Sequence, residues 1–112
     1  RTFFRIAKVW SLDEQEQMRL LGISSLVRLR AWRGGELIGF DMVALERISL
    51  VMGIFKAINI LLPDAARADA WIRKPNKAPL LNGQSAMAFI VDGGPERMEA
   101  LRAYLNAEVS ND

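Results

Sequence analysis

The stretch MVALERISLVMGIFKAINILL, Met42–Leu62, decides the fold. It is about as long as a membrane span, but Glu46, Arg47, Lys56 and Asn59 interrupt it, which argues against a bilayer-crossing segment. On a helical wheel Glu46, Ser49, Gly53 and Lys56 share one narrow strip, while Leu45, Ile48, Val51, Met52, Ile54, Phe55, Ile58 and Leu62 cover the rest. That pattern predicts a helix buried on most sides. Asp41 supplies an N-cap and Pro63 a stop.

Working outward toward the N-terminus, Phe3, Ile6, Ala7 and Trp10 fall on one face of a first amphipathic helix. Ser11 with Glu14 reads as a capping box for a second helix that closes at Gly22. Ser24 or Ser25 caps a third, ended by Gly34-Gly35. Beyond Pro63, Asp64 caps a short helix through Ala70-Trp71-Ile72, and Pro75-Asn76 turns the chain into a loop. Ser85 caps another over Ala86 to Val91. After Gly93-Gly94, Pro95 opens a last helix with Met98, Leu101 and Leu105 as its apolar stripe. The best strand candidate, Ala88 to Val91, is too short to anchor a sheet. The reading is all-α, about seven helices around the long central one.

The chain has 112 residues, no histidine and no cysteine, with a net charge of +2. Most zinc, copper, haem and iron–sulfur sites therefore lose their usual ligands, and thiol catalysis and histidine-activated nucleophiles are excluded. Asp13, Glu14 and Glu16, like Glu96 and Glu99, lie in first turns where compensation of the helix dipole accounts for them. No catalytic residue, metal site or cofactor is expected, and the chain reads as a non-enzyme. The lack of disulfides and of a signal-peptide pattern fits a cytoplasmic protein.

Residues 1–62 carry nine basic and six acidic side chains, and residues 63–112 carry six and seven. Within the basic half, Leu12 to Leu21 and Ser25 to Arg33 have the rhythm of a helix-turn-helix, with Gly22-Ile23-Ser24 as the turn. Ser24, Ser25, Arg28, Arg30 and Arg33 are its candidate DNA-binding residues, Arg30 and Arg33 sharing a face that Arg28 does not. A small helical bundle with solvated arginines meets the same periodicity.

An ordered series of motifs carries more. Leu20-Leu21-Gly22, Leu45-Glu46-Arg47-Ile48, Gly53-Ile54-Phe55-Lys56-Ala57, Trp71-Ile72-Arg73-Lys74-Pro75-Asn76, Gly83-Gln84-Ser85-Ala86 and Leu101-Arg102-Ala103-Tyr104-Leu105 together resemble the Xre/MbcA/ParS-type antitoxins of bacteria across essentially the whole chain. The resemblance implies a degenerate Xre-like helix-turn-helix region with the long central helix over 1–62, followed by a toxin-binding domain over 63–112. It also implies a type II toxin–antitoxin role: the antitoxin occludes the NAD site of a RES-domain, NAD-consuming toxin and represses its own operon by binding operator DNA. The partners implied are that toxin in a hetero-oligomer, operator DNA and a second copy in a homodimer, with no membrane.

Trp71, Arg73, Asn76, Arg102, Tyr104, Leu105 and Val109 are the candidate toxin-binding residues. Trp71, Tyr104 and Leu105 are of the type that anchors interfaces, and Arg102 adds a charge-assisted contact. Trp71 also suits a core position beside Ile72, while Pro75, Asn76 and Gly83 suit a shaped turn. The tail Asn106 to Asp112 departs from the glycine and aromatic ending common in that family. A helix-turn-helix regulator without a toxin partner is the alternative.

Overall fold

The computed structural model describes residues 1–111. It contains α1 (Thr2–Val9), α2 (Glu14–Leu21), α3 (Leu26–Arg33), α4 (Met42–Leu61), α5 (Ala65–Trp71), α6 (Ala86–Val91) and α7 (Gly94–Ser110). Among the described residues no strand forms, so the fold is all-α as the periodicity predicts. None of these helices is long and apolar enough to cross a membrane.

The spine is α4. Asp41 caps it, its carboxylate accepting from the Ala44 N–H at 3.0 Å, and Leu62, extended ahead of Pro63, ends it. Val51, Ile54, Ala57 and Ile58 are buried in the core, and α7 lies along this face with Met98, Leu101 and Leu105. Each fully buried Leu or Ile along this seam stabilises the fold by about 1.5–3 kcal/mol. Buried residues from before Pro63, such as Phe3, Trp10 and Leu29, and from after it, such as Ile72, Leu81 and Ile90, join one continuous core.

One expectation about α4 is corrected. Leu45 and Met52 are 44% and 41% exposed, and Met42, Val43 and Ile60 are exposed too. The helices packed on α4 are α1, α2, α5 and α7, and they leave these positions uncovered.

The second helix starts later than Ser11 suggests. Asp13 is the N-cap: its carboxylate accepts from the Glu16 N–H at 2.7 Å, and the Asp13 N–H donates back to Glu16 at 3.0 Å. Ser11 instead ends α1 in the left-handed region at φ 55. The Leu12 and Ser11 N–H groups donate back to the Ala7 and Lys8 carbonyls, a Schellman closure with serine where glycine is usual. The capping box is therefore shifted by two residues, because Ser11 is consumed by the preceding helix's end.

Two close approaches bring separate sequence motifs together in space. A Cβ on Gly22, at φ 75, would lie 2.7 Å from the Arg47 guanidinium carbon, so α2 ends beneath an arginine of α4. A Cβ on Gly53 would lie 2.6 Å from Arg102 Cδ, so the arginine stem of α7 rests on α4 at a position lacking a side chain. The loop between α5 and α6 is closed by its own backbone. The Asn76 N–H donates to the Gln84 carbonyl, the Gly83 N–H to the Asn76 carbonyl, and the Met87 N–H to the Ile72 carbonyl. Ser85 then caps α6 through the Ala88 N–H.

Candidate functional site

The end of α5, the closed loop after it and the second half of α7 meet over the last turns of α4. Trp71, Asn76, Tyr104 and Leu105 line one cleft there, with Ile58, Leu61, Leu62 and Glu108. The cleft holds about 200 Å³, less than the roughly 300–1,000 Å³ of small-molecule pockets, so it suits a single inserted side chain. Trp71 and Tyr104 form half-buried walls, whereas Leu105 is 2% exposed and serves as floor. Asn76 is fixed as a frame: its Oδ1 accepts from the Ala78 N–H at 2.8 Å. Sequence reading missed Leu61, Leu62 and Glu108. Glu108 stands four residues after Tyr104 on the same helix, the spacing that puts two side chains on one face.

The other candidate toxin-binding residues lie elsewhere. Arg102 and Val109 line a separate groove with Gly53, Lys56 and Ile60, across the α4–α7 seam. Arg73 is spent on the fold. Its guanidinium donates to both Glu16 oxygens, at 2.8 and 3.1 Å, and to the Trp10 and Ser11 carbonyls, at 2.9 and 3.0 Å. This arginine ties α5 to the corner between α1 and α2, and its hydrogen bonds hold the Glu16 carboxyl below the usual carboxylate range.

The α2–α3 pair is likewise cross-braced. Arg30 donates to both oxygens of Glu14, each at 3.1 Å, and Arg33 donates to one of them at 3.1 Å. These bonds, those from Arg30 foremost, hold Glu14 below its ordinary value. Ser25 caps α3 by accepting from the Arg28 N–H. Ser24 is exposed, and the Arg28 guanidinium lies against Gly39 of the α3–α4 loop. The five candidate DNA-binding residues therefore divide: Arg30 and Arg33 turn toward α2, while Ser24 and Arg28 stay outward beside Val27, which is 81% exposed.

The fold and cleft define an all-α protein with a side-chain-sized cleft between its fifth and seventh helices. The chain is 36% identical to the uncharacterized protein y4oB of Sinorhizobium fredii over 107 residues, covering 95% of this chain and 80% of that one. It belongs to the same family as that protein. No family model matches the chain, and no solved structure matches it.

Proposed function

We propose that this protein is the antitoxin of a type II toxin–antitoxin pair, acting by binding a RES-domain, NAD-consuming toxin and covering its NAD site. The observation that carries the reading is the convergence of Trp71, Asn76 and Tyr104, from segments about thirty positions apart, on one cleft. In this reading the cleft receives an apolar side chain of the toxin, and the rest of the interface excludes NAD by covering the mouth of its pocket. Occlusion of that kind needs a well-packed centre and a polar rim, and no reactive group. Control of its own operon through the α2–α3 pair belongs to the same proposal, with Ser24 and Arg28 toward DNA and Val27 available to a thymine methyl group. The Val27 exposure equally suits the second reading, a transcription regulator with no toxin partner.

Titration of the purified chain into a RES-domain enzyme, should a neighbouring reading frame encode one, tests the first reading. A saturable complex weakened by Trp71→Ala is expected; a well-folded chain that forms no complex contradicts it.

A further inference from the structure

A second concave surface lies between α1 and the end of α3. Arg1, Arg5 and Lys8 are spaced i, i+4, i+7, so they form one strip along α1, and all three are exposed. Arg33, at the end of α3, faces them across a groove of about 470 Å³ floored by Phe4, Ala7, Leu12 and Gln17. Among the described residues Arg1, Arg5 and Lys8 make no ion pair, unlike Arg19, Arg30, Arg33 and Arg73. Glu14, the carboxylate nearest the far wall, is already held by Arg30 and Arg33.

We propose that this groove between α1 and α3 binds the phosphate backbone of nucleic acid. The strip from Arg1 to Lys8 is about 10 Å long at about 1.5 Å per residue. A duplex presents one negative charge per about 1.7 Å of its axis, so a strip of that length meets several phosphates. Long basic side chains line the groove. Gln17, the amide side chain of the groove, is 7% exposed and donates to the Leu12 carbonyl, so it is held in the floor and turned away from a ligand. The charge and spacing of this strip match phosphates, so the contact is assigned to the backbone. An anionic membrane is the weaker fit, because Phe3, Ile6, Ala7 and Trp10, the apolar side a membrane-surface helix would insert, are buried in the core.

The proposal rests on the nucleic-acid half of the reading above and is independent of the toxin. It assigns the positioning contacts to α1, leaving Ser24 and Arg28 as the outward pair on α3.

The test is binding of a generic DNA duplex of two helical turns, followed by fluorescence anisotropy as salt is raised. For the full chain, a steep loss of affinity with salt is expected. Arg5→Ala with Lys8→Ala should lower the slope of log affinity against log salt by about two. Between about 50 and 200 mM salt the unaltered chain should then lose about tenfold more affinity than the variant. Lys74→Ala with Lys77→Ala removes the same charge from the α5–α6 loop and should keep the full slope.

An unchanged slope in the Arg5/Lys8 variant, or an equal fall in the Lys74/Lys77 variant, overturns the groove assignment while leaving nucleic-acid binding intact. Absence of duplex binding at low salt, or binding of phosphatidylserine vesicles in its place, overturns both. Arg5→Gln with Lys8→Gln, checked by circular dichroism, serves if the alanine pair does not fold.

Discussion

The α1–α2–α3 corner and the α5–α7 cleft use polar and aromatic side chains in opposite ways. At the corner, the charges of α2 and α3 are consumed internally, Arg30 and Arg33 closing on Glu14 and Arg73 on Glu16 and two carbonyls, while Arg1, Arg5 and Lys8 along α1 stay outward. At the cleft, Trp71 and Tyr104 stay half-exposed around a space of about 200 Å³. An arginine with its partners already in place adds rigidity and has little left for a ligand. A half-covered aromatic retains apolar area that a partner can still bury. The corner thus builds the scaffold and the cleft offers a surface.

Substitutions separate the two most sharply. Trp71→Ala with Tyr104→Ala should weaken binding of the proposed toxin by about 3–5 kcal/mol, read by calorimetric titration. Arg73→Ala should do the reverse, lowering unfolding stability by about 2 kcal/mol in a denaturant melt and leaving toxin affinity in place. If Arg73→Ala instead abolished binding in a stable protein, the two regions would have exchanged roles.

Acid should act on the corner first. Glu14 and Glu16 have carboxyl groups held below their usual range in the folded state, by Arg30 and Arg33 and by Arg73. Their contribution to stability is therefore complete above the unfolded value of 4.5 and is lost as pH falls through the lower folded values. Melts below that pH should show a steeper decline for the native chain than for Glu14→Gln with Glu16→Gln.

The smallest expected effect is a gain. Ser11→Gly removes the strain of a left-handed serine at the end of α1, and should stabilise by about 0.5–1 kcal/mol in a thermal melt without altering either proposed binding activity.

The same contrast explains what the sequence disclosed. Caps at Asp41, Asp64, Ser25 and Ser85, the stop at Pro63 and the stripe Met98, Leu101, Leu105 are local signals, and the structure forms each of them. The N-terminus of α2 was less legible. Ser11 and Asp13 both offer capping chemistry, and only the closure of α1 decides between them.

Exposure of Leu45 and Met52 was hidden for a related reason: a helical wheel counts apolar positions and does not count the neighbours available to cover them. In the cleft, Trp71, Asn76, Tyr104 and Leu105 were singled out by motif, and Arg73 with them. Their division is set by long-range geometry, Arg73 reaching Glu16 across 57 positions of sequence.

The most direct measurement is NAD remaining after incubation with a RES-domain enzyme, the partner class proposed above, as this chain is titrated in. Protection that is complete near stoichiometric ratio, and that shifts to higher concentration with Trp71→Ala and Tyr104→Ala, is the outcome expected of obstruction at the cleft. Undiminished NAD loss beside a folded chain in excess would contradict it.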